Sequence, residues 1–103
     1  MNEFDPVLFA KAIADETRQK IMRLTCCQWL SVNEIVGHLK VTQPTVSHHL
    51  AILREAGLVH IREEGKQTYY QLNLNMITSC CGQLRSSFVP EEKITVKTET
   101  PVS

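Results

Sequence analysis

Two short helix patterns separated by a tight turn lie in the middle of the chain and restrict its fold more than any other feature. Ser31 and Glu34 have the spacing of a capping box, in which a hydroxyl and a carboxylate satisfy free amides at a helix start. Thr42 offers a cap for a second helix over residues 43–56, and Gly57 suits the left-handed position that ends it. Two short helices joined by a turn of about three or four residues are typical of a helix-turn-helix.

The residue pattern changes from helical to alternating after Gly57. Residues 58–62 and 67–72 are rich in β-branched and aromatic side chains, and the segment between them, residues 63–66, contains Gly65. This pattern predicts a β-hairpin with glycine in its turn. A hairpin that directly follows a helix-turn-helix is a wing.

Further helix signals flank this central unit. Asp5 followed by Pro6 marks the start of a first helix, a second helix begins near Asp15, and Asn73 or Asn75 caps a last one. The predicted fold class is therefore mainly α with a β-hairpin wing, a winged helix-turn-helix of five helices.

The first predicted helix is apolar over most of its surface, more than packing against its own core requires. A chain of 103 residues also has a limited core, so a second subunit is a natural way to bury more apolar surface. We expect residues 1–89 to form one DNA-binding and dimerisation domain. Residues 90–103 are polar and rich in threonine, and we expect them to form a flexible tail.

The overall charge gives no support to DNA binding. The chain has 11 basic and 11 acidic residues and a formal net charge of zero, whereas DNA-binding domains are usually basic. DNA binding therefore requires a local concentration of positive charge on one face.

The chain has no apolar run that approaches the length needed to cross a bilayer, about 20 residues, and its start lacks the pattern of a signal peptide. We therefore expect no membrane partner and a cytoplasmic location.

The second helix of a helix-turn-helix unit enters the major groove of DNA through its N-terminal end. In residues 43–56 an apolar stripe of Val46, Leu50 and Leu53 is expected to pack inward. The polar groups on the rest of this helix and on the hairpin are the candidate DNA contacts: Gln43, Thr45, Ser47, His48, His49, Arg62, Lys66 and Gln67. A solvated helix face or hairpin is the alternative, and His49 lies near the apolar stripe, where a buried, hydrogen-bonded histidine is equally expected.

Several segments together resemble the arsenic-repressor (ArsR/SmtB) family of transcriptional regulators. The resemblance covers about residues 5–85 and rests on four segments, residues 13–18, 42–50, 53–59 and 69–72. It implies a homodimer built through the first and last helices, operator binding without inducer, and release when an inducer binds. A two-fold dimer reads double-stranded DNA as an inverted repeat.

Four cysteines form two adjacent pairs, Cys26–Cys27 and Cys80–Cys81. Neighbouring residues lie about 3.8 Å apart at Cα, below the usual disulfide span of about 4.4–6.8 Å, so neither pair is expected to close on itself. Thiolates select soft centres such as trivalent arsenic, trivalent antimony or a soft metal ion. Burial as small apolar side chains is the alternative.

The resemblance helps to exclude other inducer sites. The family's Cys-x-Cys site would lie in the helix that starts at Ser31, and its zinc site needs Asp and His pairs on the last helix; residues 31–35 and 74–88 lack them. No obligatory cofactor is expected, and the inducer is expected to be trivalent arsenic or antimony, or another soft metal ion. A redox or persulfide switch that joins the two cysteine pairs is the second hypothesis, and whether the pairs meet in space stays open.

Two other functional classes are compatible with a chain of this size. An enzyme with a Cys–His nucleophile pair has little support, because no carboxylate is evidently placed to orient a histidine and the chain has no glycine-rich loop. A protein-interaction module that uses the winged fold without DNA is the stronger rival. We therefore expect a regulator and not an enzyme.

Overall fold

The structure is a computed structural model and describes residues 4–89. In this part of the chain five helices and three strands follow one another: α1 Pro6–Ile13, α2 Glu16–Leu24, β1 Leu30–Ser31, α3 Val32–Leu39, α4 Gln43–Glu55, β2 Val59–Glu64, β3 Gln67–Leu72 and α5 Leu74–Ser87. The predicted mainly α fold with a β-hairpin wing is confirmed. The tail predicted over residues 90–103 lies outside the described residues.

Side chains cap four of the helices, each at a position marked in the sequence. Asp5 accepts hydrogen bonds from two amides of α1, Asp15 accepts one from α2, and Asn73 accepts one from α5. At the start of α3 the Glu34 amide donates to the Ser31 hydroxyl at 3.2 Å, and the Ser31 amide donates to the Glu34 carboxylate at 2.8 Å. Each such cap contributes about 1 kcal/mol, so these helix starts are fixed locally.

The turn between α3 and α4 contains a strained residue. Lys40 ends α3 in the left-handed conformation with φ 59°, and its amide donates to the Val36 carbonyl oxygen at 2.8 Å. Thr42 occupies the N-cap position of α4, as predicted. The prediction that its side chain caps the helix is wrong, because the side chain makes no hydrogen bond to the first-turn amides. Its hydroxyl contacts the Thr45 hydroxyl at 2.8 Å. The end of α4 is as predicted, with Gly57 at φ +75°.

The wing is a two-stranded hairpin that a third strand extends. In its register Glu64 faces Gln67, so only Gly65 and Lys66 form the turn. The predicted turn was two residues too long, because Glu63 and Glu64 belong to β2. The two-residue strand β1 pairs with the other side of β3, giving the order β1-β3-β2. This pairing joins the start of α3 to the wing.

An apolar core lies beneath the helix-turn-helix unit. Val46, Leu50 and Leu53 of α4 are buried as predicted, and they pack with Ile21 and Ile35. Full burial of such a side chain contributes about 1.5–3 kcal/mol, so α4 is held by its inward face. Among the described residues, no helix is long and apolar enough to cross a membrane.

Candidate nucleic-acid interface

The outward side of α4 near its start carries an exposed polar surface. Four polar residues are all exposed, as groups that reach DNA must be: Gln43, Thr45, Ser47 and His48. Amide and hydroxyl groups of this kind bond base edges and phosphates. The Thr45 hydroxyl is also held by the contact with Thr42, which fixes its position at the first turn.

The start of α4 also offers backbone donors. Pro44 has no N–H, and within residues 4–89 no side chain caps this helix start. The first-turn amides of a helix have no partner inside the helix, and the helix dipole adds partial positive charge there. The N-terminus of α4 is therefore suited to contact a DNA phosphate, and it does so without adding to the net charge.

His49 does not share this exposed surface. Its Nδ1 atom lies 3.0 Å from Arg18 Nη1, and its side chain is only 13% exposed. Burial is the main cause that lowers the pKa of His49; the nearby Asp15 charge raises this pKa by less, and the Arg18 charge lowers it further. A neutral imidazole can accept the Arg18 hydrogen bond, so the 3.9 Å contact with the Asp15 carboxylate is not an ion pair. The structure thus places His49 as a hydrogen-bonded inner residue, the alternative left open by the sequence.

Arg18 is a structural residue of this region that the site prediction missed. Its Nε donates to the Ala12 carbonyl oxygen at 2.7 Å and its Nη2 donates to the Lys11 carbonyl oxygen at 2.8 Å. Together with the His49 contact, these bonds tie the end of α1 and the start of α2 to the middle of α4. Arg18 belongs to residues 13–18, one of the segments that carry the family resemblance. A lone arginine in a first helical turn, however, does not reveal a partner 31 residues away.

The residues of the wing that were predicted to contact DNA differ in their surroundings. The Arg62 guanidinium lies 4.7 Å from the centre of the Trp29 ring and 5.5 Å from that of Tyr69, and it is 3.8 Å from a Glu64 carboxylate oxygen. These neighbours hold Arg62 against the sheet. Lys66 in the turn is exposed, as is Gln67 beside it in β3. Of the two wing cations, Lys66 is thus the better placed to reach a phosphate.

The two cysteine pairs differ in geometry. The Sγ atoms of Cys26 and Cys27 contact each other just after α2, and both are free thiols. The hydrogen bond with Cys27 is the main cause that raises the pKa of Cys26, and burial adds to it. On α5 Cys80 is buried and Cys81 is exposed, and burial raises the pKa of the Cys80 thiol.

The pairs line separate spaces in the molecule. Cys80 lines a cavity of about 510 Å³ beside α1 and the end of α4, whereas Cys26 lines a groove of about 260 Å³ between α2 and the start of α5. Across residues 4–89 no three Cys, His, Asp or Glu side chains are grouped to hold a metal ion. The sequence left open whether the two pairs meet in space, and within one protomer of the described residues Cys26 and Cys80 line different spaces.

Comparison with known proteins identifies the family. A model of the "Bacterial regulatory protein, arsR family" matches residues 15–60. The transcriptional repressor SdpR of Bacillus subtilis is 36% identical over 67 residues, covering 65% of this chain and 74% of that protein. The arsenic resistance transcriptional regulator ArsR1 of Pseudomonas putida is 41% identical over 69 residues, covering 66% of this chain and about half, 53%, of that protein.

Solved structures agree with the sequence comparison. HlyU from Vibrio cholerae superposes with a TM-score of 0.66 at 33% identity, covering 80% of this chain and 89% of that chain. A possible transcriptional regulator for arsenical resistance superposes with a TM-score of 0.67 at 28% identity, covering 79% and 84%. The segment matched by the family model contains α2, α3 and α4, and the two solved structures cover about four fifths of the chain. The chain belongs to the ArsR family of bacterial DNA-binding transcription regulators.

Proposed function

We propose that this regulator is a repressor that binds operator DNA through α4 and releases it when a thiophilic ion binds its cysteines. The observation that carries the DNA part is the exposed polar start of α4, with its uncapped amides, beside a wing that presents Lys66. The relatives named above include a repressor and an arsenic resistance regulator. Another relative, HlyU of Vibrio cholerae, is named a transcriptional activator, so repression itself is part of the proposal.

Contacts to DNA are divided between the helix and the wing. Gln43, Ser47 and His48 reach base edges in the major groove, while the α4 amides and Lys66 contact phosphates. Because the chain has no net positive charge, these few local contacts carry the electrostatic attraction. Affinity for DNA should therefore fall with added salt, with a slope set by the small number of phosphates neutralised.

A homodimer that binds an inverted repeat is the second part of the proposal. Val7 on α1 is 60% exposed and Leu74 on α5 is 52% exposed, so both helices offer apolar surface to a partner. In a two-fold dimer the recognition helices lie about 34 Å apart, one turn of DNA, or a multiple of it. Sedimentation should give a dimer at micromolar concentration, and footprinting should protect two symmetric half-sites. A monomer that still binds DNA tightly would contradict this part.

The inducer part of the proposal rests on ligand chemistry. The four thiols suit trivalent arsenic, trivalent antimony or another soft metal ion, whereas imidazole and carboxylate groups are not clustered for zinc within residues 4–89. Cys80 and Cys81 lie on α5, whose packing against α1 would set the spacing of the recognition helices in the dimer. An ion there needs the buried Cys80 thiol to turn outward, or a sulfur from a second subunit.

A gel-shift experiment with the DNA upstream of the protein's own gene tests the inducer. Sodium arsenite or antimonyl tartrate at micromolar concentration should dissociate the complex, and zinc should do so poorly. The Cys80→Ser/Cys81→Ser and Cys26→Ser/Cys27→Ser double variants should each still bind DNA, because α4 is untouched. The pair whose replacement abolishes release is the sensing pair. If the variant with all four serines still responds, thiol sensing is wrong and DNA binding stands.

A further inference from the structure

A cavity of about 510 Å³ opens between three segments of the chain: residues 4–9 at the start of α1, residues 55–57 at the end of α4, and one side of α5. Its α5 wall consists of residues spaced by three and four positions, which therefore share one helix face: Met76, Ser79, Cys80 and Gln83. Sites for small organic ligands in proteins measure about 300–1,000 Å³. The cavity therefore has the size of a ligand site, and all its walls belong to one protomer.

The apolar residues proposed for the dimer surface lie on other sides of the same two helices. Among the described residues that line the cavity, neither Val7 nor Leu74 occurs. At 100° per residue, Val7 lies about 150° around α1 from the direction midway between Leu8 and Phe9. Leu74 lies about 170° around α5 from the centre of the cavity wall. A second subunit that packs on Val7 and Leu74 therefore approaches the helices from other sides than the cavity.

Aromatic and aliphatic side chains form much of the cavity wall. Phe9 is buried, and Phe4, Leu8 and Met76 are partly buried. The Phe4 and Phe9 ring centres lie 6.2 Å apart, with the rings tilted by 52°. A thioether packs well against an aromatic ring, and the face of a phenyl ring attracts a cation within about 6 Å. This wall therefore suits a ligand with an apolar or aromatic body and tolerates a positive charge beside it.

Both charged residues that the structure places in the cavity wall are carboxylates, Asp5 and Glu55. Within residues 4–89 neither is paired with a lysine, arginine or histidine side chain. Asp5 Oδ1 accepts hydrogen bonds from the Val7 and Leu8 amides at 3.0 and 3.1 Å, which fixes this carboxylate at the start of α1. Glu55 is the last residue of α4, where the helix dipole adds partial negative charge. The electrostatic potential at the cavity therefore favours a cation.

A polar pair on α5 adds a hydrogen-bond acceptor to the same cavity. Gln83 Nε2 donates to the Ser79 hydroxyl oxygen at 3.3 Å, a bond that uses the nitrogen of the amide and not its oxygen Oε1. An amide oxygen accepts hydrogen bonds, as do the oxygens of the two carboxylates. A cation with N–H groups satisfies these acceptors, whereas a cation without N–H groups does not.

We propose that this cavity is a binding site for a small organic cation, a protonated amine attached to an aromatic or aliphatic body. The ammonium group lies near Asp5 and Glu55, and the body lies against Phe4 and Met76. A cavity of about 150 Å³ holds one benzene molecule, so the space here accommodates a body larger than a single ring. The inference goes beyond the proposed function, because the ligand forms no bond to sulfur and its binding does not require the inducer.

Three compounds with the same body and different charge test the ligand class: 4-phenylbutylamine, 4-phenylbutanol and 4-phenylbutyrate. Isothermal titration calorimetry on the full-length reduced protein at neutral pH measures their affinities. Burial of the phenylbutyl group favours all three equally, so any difference reports the charge. Since an exposed carboxylate contributes only a modest attraction to a cation, the amine should bind about fivefold more tightly than the alcohol. The carboxylate compound should bind more weakly than the alcohol.

The Asp5→Asn/Glu55→Gln variant removes both charges, and asparagine keeps the capping ability of residue 5. Its affinity for the amine should fall about fivefold, to that for the alcohol, while its affinity for the alcohol stays that of the wild type. Glu16→Gln/Glu63→Gln is the matched control, because it makes the same change in net charge at two exposed positions outside the cavity wall. This control should keep the preference for the amine.

Amide NMR spectra locate the bound compound. The amine should shift the resonance of Gly57 in the cavity wall and leave that of Gly65 in the wing turn unchanged. Ser79→Phe places a ring in the cavity from the α5 wall and should weaken the binding of all three compounds. Circular dichroism should give the wild-type fold for each variant.

Four results would overturn the inference. They are equal affinity of the wild type for the amine and the alcohol, an unchanged preference in Asp5→Asn/Glu55→Gln, shifts at Gly65 without shifts at Gly57, and no binding of any compound at millimolar concentration. A second copy of the chain as the occupant would shift Gly57 with protein concentration alone and block the amine, which also contradicts the proposal. DNA binding by α4 and release through the cysteines are unaffected by any of these results.

Discussion

Removal of the Arg18 guanidinium tests whether α4 is held in place by the end of α1. Arg18 bonds the Ala12 and Lys11 carbonyl oxygens at 2.7 and 2.8 Å and His49 Nδ1 at 3.0 Å. A hydrogen bond from a charged donor contributes about 1.5–3 kcal/mol. Because Arg18 is half-buried, water replaces much of each bond, and we take about 0.7 kcal/mol for each. Arg18→Ala should therefore lower the free energy of unfolding by about 2 kcal/mol.

Urea unfolding at pH 7.5 and at one protein concentration measures this change through Trp29 fluorescence. With a slope of about 1–2 kcal/mol/M, the unfolding midpoint should fall by about 1–2 M. Arg23→Ala is the matched control, since Arg23 lies exposed on the same helix, and it should change stability by less than about 0.5 kcal/mol. A double-mutant cycle between Arg18→Ala and His49→Ala should show a coupling energy of at least about 0.5 kcal/mol. Equal midpoints for the two arginine variants, or strict additivity in the cycle, would refute the reasoning.

Other outcomes follow from burial, backbone strain and protonation. Leu53→Ala should cost about 2–5 kcal/mol in urea unfolding because Leu53 is fully buried, and Ala51→Ser on the exposed side of α4 is its control. Lys40→Gly should raise the unfolding midpoint, since glycine removes about 1 kcal/mol of left-handed strain at φ 59°; a lower midpoint would contradict this. The pKa of His49 is lowered below its ordinary 6.5 in the folded state, so the unfolded chain binds the proton more readily. Stability should therefore fall as pH drops through 6.5, and His49→Gln should lose that part of the pH dependence, as urea midpoints at pH 5.5 and 7.5 would reveal.

Local signals made the helix starts predictable from the sequence. The capping bonds of Asp5, Ser31 and Asn73 each join residues no more than three positions apart, so the spacing alone indicates them. The buried stripe of α4 follows from helical periodicity for the same reason. The wing was predictable from its β-branched and aromatic residues and from Gly65 between the two segments, although its strands are short and partly charged.

Strand pairings between residues far apart in the chain could not be predicted from local sequence patterns. Strand β1 has only two residues, and it exists because Leu30 and Ser31 pair with Tyr70 and Tyr69 some 40 positions later. Glu63 and Glu64 read as turn residues, yet pairing with β3 keeps them in the strand.

In the candidate site, too, the local features were predictable from the sequence and the long-range contacts were not. Exposure of Gln43, Ser47 and His48 follows from the helical period, so the polar surface of α4 could be foreseen. The inward position of His49 depends on Arg18, and the separate surroundings of Cys26 and Cys80 depend on how α5 packs against α1 and leaves a groove beside α2. No spacing in the sequence carries that information.

DNA binding by α4 is tested most directly by fluorescence anisotropy with a labelled fragment of the DNA upstream of the protein's own gene. The Gln43→Ala/Ser47→Ala variant should bind at least about tenfold more weakly than the wild type, because each lost base contact costs about 1–3 kcal/mol. Asn75→Ala/Thr78→Ala removes a similar pair of exposed polar groups from α5 and should bind as the wild type does. Circular dichroism should give the same fold for all three proteins. Unchanged affinity of Gln43→Ala/Ser47→Ala for a DNA that the wild type binds would contradict the assignment of α4 as the recognition helix.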